Sequence, residues 1–93
     1  MADLVDAMWS MKTRAELRDF LRDLCTLGEL EAMAHRWEVA RLVDEGLPYV
    51  EVAHRTGAST TTVTRVAQWL RHGEGGYRVA LDRLKRPRKP KPA

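Results

Sequence analysis

Across the first 86 positions the chain contains one proline, Pro48, and no run of alternating β-branched residues long enough to make a strand. So few prolines leave nearly every backbone amide available for helical hydrogen bonding, and apolar residues recur throughout at spacings of three and four. The fold class this dictates is all-α.

Local signals divide the chain into helices. An opening segment near Asp3–Lys12 carries Leu4, Met8 and Met11 on one side, with Val5 and Trp9 beside them. Thr13 and Glu16 have the spacing of a capping box, and Leu17, Phe20, Leu21 and Leu24 follow as an apolar stripe. Thr26 and Glu29 repeat the device ahead of Leu27, Leu30, Met33 and Ala34. From Arg36 to Glu45 the residues Trp37, Val39, Ala40, Leu42 and Val43 wrap most of the helix, a pattern expected of a buried element that Gly46 ends in the left-handed conformation. Pro48 reads as a first-turn proline of the next helix, which Gly57 closes. Ser59 is the N-cap candidate of a further helix to His72, with Gly73 after it. Beyond a glycine hinge at 75–76, Tyr77, Ala80, Leu81 and Leu84 predict a last short helix. The expected domain is residues 1–84, followed by a basic, proline-spaced tail over 85–93 that cannot form a core.

Pro48 to His72 contains the strongest functional signal. A helix-turn-helix needs a small residue where its helices cross, a glycine in the turn and apolar residues on the inner face of its second helix. Ala53, Gly57 and the set Val63, Val66, Ala67 and Leu70 supply these, although an ordinary antiparallel helical hairpin shares part of the pattern. The outward face then consists of Thr60, Thr61, Thr64, Arg65 and Gln68, with Ser59 at its tip. Four threonines among five residues are poor choices for helix stability alone, because β-branching restricts their rotamers and their hydroxyls compete for backbone bonds. Hydroxyls and methyls at a helix N-terminus suit phosphates, base edges and thymine methyls, while Arg65 matches guanine or phosphate and Gln68 adenine; a threonine-rich cap on a solvated face would look alike. Arg71 is grouped with them as a basic residue in the same helix.

Charge agrees with this division. Residues 1–53 carry six Lys/Arg against eleven Asp/Glu, a net −5, whereas residues 54–93 carry ten against two, a net +8. A polarised chain of this kind suggests a scaffold half and a half that faces a polyanion, double-stranded DNA in particular. In the tail, Lys85, Arg86, Arg88, Lys89 and Lys91 are candidates for contact with the DNA backbone. The large apolar residues of the first 25 positions exceed what two short helices cover alone, which points to a partner surface.

Other function classes lack their signatures. Cys25 is the sole cysteine and reads as a buried, reduced thiol. His35, His54 and His72 have no second ligand three or four residues away, so no metal or cofactor is expected and they read as helix-surface residues. No nucleophile–base constellation or phosphate-cradling glycine loop is present, and the expectation is a non-enzyme. Neither a signal peptide nor a membrane span is evident, and the expected location is the cytoplasm, with the nucleoid.

From Cys25 to Leu84 the chain resembles the Trp-repressor family, most closely its small YerC/YecD-type branch. The residues that carry the resemblance are 26–33 (TLGELEAM) with Arg36, then Asp44-Glu45-Gly46, and above all 56–66 (TGASTTTVTRV). The resemblance implies a six-helix fold in an intertwined homodimer, with the fourth and fifth helices forming the reading head. It also implies that Gly57, Thr60, Thr61, Thr62 and Thr64 contact DNA, a set overlapping the outward face. In the tryptophan-sensing member two arginines sandwich the indole; they correspond to Arg36 and Arg65. A neighbouring glycine and serine correspond to Val66, which would intrude on that pocket, and Trp69, whose bulk would fill it. The expected function is therefore a transcriptional regulator, a repressor, reading a pseudo-palindromic operator without L-tryptophan as effector. The rival is a helical interaction module that keeps the fold but binds a protein through its threonine face or Trp69.

Overall fold

The computed structural model describes residues 1–85. Among them are six helices and no strand: α1 (Ala2–Trp9), α2 (Arg14–Leu24), α3 (Leu27–Asp44), α4 (Tyr49–Thr56), α5 (Thr60–His72) and α6 (Gly76–Lys85). None of these helices is long and apolar enough to cross a membrane. The expected tail contacts Arg86, Arg88, Lys89 and Lys91 lie outside the described residues. Backbone proximity divides the chain into two compact units, Met1–Ala34 and the part that begins at His35.

In the first unit, capping chemistry sets the helix boundaries. Thr13 Oγ1 accepts from the Glu16 amide at 3.0 Å, and the Glu16 carboxylate accepts from the Lys12 amide at 2.7 Å. That second bond draws Lys12 away from α1, which stops at Trp9 rather than running on to Lys12; the Ser10 hydroxyl donates to the Ala7 carbonyl at 2.7 Å and closes it. Thr26 and Glu29 form a reciprocal capping box, with bonds of 2.8 and 3.1 Å. Neither α1 nor α2 contains a buried residue: Leu4, Val5, Met8, Trp9 and Leu24 are exposed, and Leu17, Phe20 and Leu21 are half-buried. Cys25, expected to be buried, is half-buried where α2 ends.

The second unit contains the core. Val39, Ala40, Leu42 and Val43 of α3 pack with Val52 of α4 and with Val63, Val66 and Ala67 of α5 in one buried cluster. Val39, Val52 and Val63, one from each helix, are fully enclosed; burial of each is worth about 1.5–3 kcal/mol. Only the C-terminal half of α3 is wrapped in this way, since every buried residue of that helix lies between Val39 and Val43. Gly46, at φ 94°, terminates α3 in a Schellman arrangement: its amide donates to Val43 and that of Leu47 donates to Leu42, while Leu47 packs on the core. Pro48 sits at the N-cap, one position before the expected first turn, and its carbonyl accepts from the Val52 amide at 3.0 Å.

An ionic clamp ties α6 to the end of α3. The Arg78 guanidinium grips both Asp44 carboxylate oxygens at 2.8 and 3.1 Å and also reaches Asp82, while Lys85 Nζ lies 2.8 Å from Asp44. Trp37 and Tyr77 stack nearby with centroids 6.3 Å apart, and Leu81 is buried. Lys85, assigned above to the tail, is thus the last residue of α6, and its ammonium is paired with Asp44.

The hydrogen bonds from Arg78, and secondly from Lys85, lower the Asp44 pKa from 3.8 to about 2. A carboxylate whose pKa falls on folding stabilises the protein above its unfolded value, and that contribution is lost as pH drops through the folded one. Stability should accordingly decline between about pH 4 and pH 2. Asp44→Asn should cost about 1–2 kcal/mol at pH 7, a figure reduced by the partial exposure of both partners, and should remove much of the acid-dependent loss. Urea titrations of both proteins at several pH values check this.

Candidate nucleic-acid interface

The turn between α4 and α5 is built from local chemistry. Gly57 adopts φ 80°, ψ 0°, and its amide closes α4 on the Ala53 carbonyl at 2.9 Å. A Cβ at this glycine would meet no atom within 4 Å, so the requirement for glycine comes from backbone conformation alone. The Thr56 hydroxyl donates back to the Val52 carbonyl at 2.8 Å and accepts from the Ala58 amide at 3.2 Å. Ala53 and Ala58 pack against the core from either side of the turn.

Ser59 then caps α5: its Oγ accepts from the Thr62 amide and donates to Thr62 Oγ1, both at 3.1 Å. These two hydroxyls are engaged with each other, and Thr62 is half-buried. Thr60, Thr61 and Thr64 are exposed and make no side-chain hydrogen bond among the described residues. With Arg65 and Gln68 they line an open, shallow depression of about 320 Å³ on the outer face of α5. The inner face is the buried set Val63, Val66 and Ala67, with Leu70 packed against it. Apart from the exposed Trp69, α5 therefore separates its apolar from its polar residues, and its positive N-terminal end lies beside the hydroxyls.

The other candidate residues lie elsewhere on the second unit. Arg71 is in the last turn of α5, about 16 Å along the axis from Thr60, with its guanidinium carbon 6.0 Å from the Tyr49 ring centroid in a cation–π contact. Arg36 is exposed, as is Arg65, whereas Val66 is buried in the core. Trp69 is 61% exposed in the single chain, rather than enclosed within it. His54 and His72 are exposed, as expected of surface histidines, but His35 differs: it is half-buried, and its Nε2 donates to the Thr56 carbonyl at 2.7 Å. No sequence periodicity marks that bond, because its acceptor is a backbone carbonyl on another helix.

A family model described as Trp repressor protein matches residues 1–85. The chain belongs to the Trp repressor family. It is 43% identical over 82 residues to the uncharacterized protein YerC of Bacillus subtilis (strain 168), an alignment spanning 88% of this chain and 79% of YerC. Among solved structures it resembles a TrpR-like protein from Eubacterium eligens, with a TM-score of 0.83 and 38% identity over 89% of this chain and 86% of that one. A second crystal structure, of a Trp repressor candidate from Staphylococcus aureus, gives a TM-score of 0.82 and 35% identity over 89% and 83% of the two chains. The six-helix, all-α architecture is that of these relatives.

If conformation alone fixes Gly57, Gly57→Ala should destabilise the protein by about 1 kcal/mol and Gly57→Asn by less, since asparagine tolerates the left-handed region. Ser59→Ala should cost about 1 kcal/mol through loss of the cap. Thermal or urea unfolding of the three variants measures all of these.

Proposed function

We propose that the protein is a sequence-specific DNA-binding repressor, acting as a homodimer whose paired α5 helices enter successive major grooves of a pseudo-palindromic operator. The observation that carries this reading is the outer face of α5, where exposed Thr60, Thr61, Thr64, Arg65 and Gln68 surround one shallow depression while the opposite face of the same helix is fixed in the core. Threonine hydroxyls and methyls, a guanidinium and a carboxamide are the groups that discriminate base edges. Gly57 shapes the approach, Ser59 caps the helix by taking the Thr62 amide and leaves the amides of Thr60 and Thr61 at its N-terminal end for phosphate, Thr62 holds the Ser59 hydroxyl in place, and Arg71 adds charge further along. The basic residues Arg86, Arg88, Lys89 and Lys91, which follow α6, add attraction to the DNA backbone.

A second copy of the chain accounts for the apolar surface that a single copy leaves uncovered. α1 and α2 contain no fully buried residue, and an open groove between α3 and α6 sets Trp37, Leu81 and Leu84 among the charged Arg41, Asp44, Glu45 and Lys85. Two reading heads related by a two-fold axis would sit about 34–36 Å apart, one helical turn of DNA. Such a protein works in the cytoplasm on the nucleoid and catalyses no reaction.

Selection of bound sequences from a random duplex library, followed by fluorescence anisotropy, tests the reading. The expected result is a two-fold-symmetric consensus whose affinity falls with salt and exceeds that for unrelated duplex by at least about 10³-fold. Arg65→Ala and Thr61→Ala should each lower specific affinity by roughly 5- to 150-fold, reflecting about 1–3 kcal/mol per base contact. Absence of any sequence preference at low salt overturns it in favour of a protein-interaction module.

The effector pocket of the tryptophan-sensing member is altered here. Val66 and Trp69 occupy the positions of its glycine and serine, and we infer that the repressor does not respond to L-tryptophan. Isothermal titration of the purified protein with L-tryptophan should show no binding in the micromolar range; micromolar affinity contradicts the inference.

A further inference from the structure

We propose that His35 is a positioning residue for the reading helix, holding the α4–α5 turn against α3; this inference deepens, and rests on, the proposed DNA-binding function. The contact is specific. His35 Nε2 lies 2.7 Å from the Thr56 carbonyl oxygen, which can only accept, so the ring nitrogen supplies the proton. That carbonyl belongs to the last residue of α4, at the negative end of the helix, where the final carbonyls have no helical donor. Thr56 is also the centre of the turn: its hydroxyl bonds both the Val52 carbonyl and the Ala58 amide, and Gly57 follows it in the left-handed conformation.

His35 is well placed to act on this turn. It lies one helical turn before Val39, which is fully buried in the core, so the two share a face of α3. The core holds the inner face of α5, but the link from Thr56 to Ser59 contains a glycine and otherwise depends on local bonds. The His35 bond is the side-chain hydrogen bond that connects this turn to α3 among the described residues. It thereby limits how α5 can tilt relative to the scaffold. Recognition of base edges requires side chains placed to within about half an ångström, whereas attraction to phosphate tolerates far looser placement. Loss of the bond should therefore reduce sequence discrimination while leaving non-specific affinity unchanged.

Three proteins test this: wild type, His35→Leu, which keeps apolar bulk without the donor, and His35→Gln, whose carboxamide N–H can reach the same carbonyl. Amide hydrogen exchange of the free proteins provides the first readout. In His35→Leu the Ala58 amide should exchange roughly three- to tenfold faster, the range set by one hydrogen bond, with Val39, Val66 and Ala67 unchanged, and His35→Gln should restore protection. The ratio of specific to non-specific duplex affinity provides the second, and should fall by a similar factor in His35→Leu and recover in His35→Gln. Unchanged Ala58 exchange in His35→Leu, equal acceleration at the core amides, or equal loss of specific and non-specific binding overturns the proposal. A wild-type protein that does not discriminate between duplexes overturns the proposed function instead, and the exchange experiment then judges the clamp on its own.

Discussion

The packing of α5 against α3 and α4 is the interaction on which the rest of the structure depends. Val39, Val52 and Val63, one from each of the three helices, are fully enclosed, and Ala40 and Ala67 are buried in the same cluster. Because side chains of a helix are fixed around its axis, burial of Val63, Val66 and Ala67 also determines which residues face outward. Thr60, Thr61, Thr64, Arg65 and Gln68 are presented together as a geometric consequence of what the core takes in. The core thus sets their rotation about the α5 axis, while the contacts at the helix end govern its tilt.

Around that core, polar contacts set the angles between elements. The left-handed Gly57 and the Ser59 cap define the step from α4 to α5, and His35 attaches the step to α3. The Asp44 carboxylate performs a comparable role for α6, taking three donors from Arg78 and Lys85 at the end of α3. Asp44, held well below the usual carboxylate range by Arg78 and Lys85, stays ionised opposite an arginine that is always charged, so the clamp persists across the physiological pH range. Among the described residues the first unit has no such arrangement: its amphipathic helices are capped and shaped, yet none of the apolar residues of α1 and α2 is fully buried.

Features that depend on near neighbours were legible in the sequence. The capping box at Thr26, the Thr13 cap, the glycine turns at Gly46 and Gly57, the Ser59 cap and the inner stripe of α5 all follow from residues within one or two turns of each other and are present; at Thr13 only half of the expected box forms, because Glu16 takes the Lys12 amide in place of that of Thr13. Boundaries shifted where a neighbouring cap competed for an amide, as at Lys12, which donates to Glu16 and ends α1 early. Long-range contacts were not legible. Nothing in the spacing of Asp44, Arg78 and Lys85 marks them as one cluster, and Lys85 looked like the start of a basic tail. His35 resembled any surface histidine because its partner is a backbone oxygen. Thr62, grouped with its neighbours by composition and resemblance, is half-buried and bonded to Ser59, which separates it from the exposed threonines.

Chemical interference mapping on a selected duplex addresses the central claim, that the outer face of α5 reads the major groove in two places at once. Methylation of guanine N7 modifies the major-groove edge and spares the minor groove. The account predicts that methylation blocks binding at two symmetric clusters, centred about one helical turn apart on one face of the duplex. A single cluster, or binding indifferent to methylation at every guanine of the site, would contradict it.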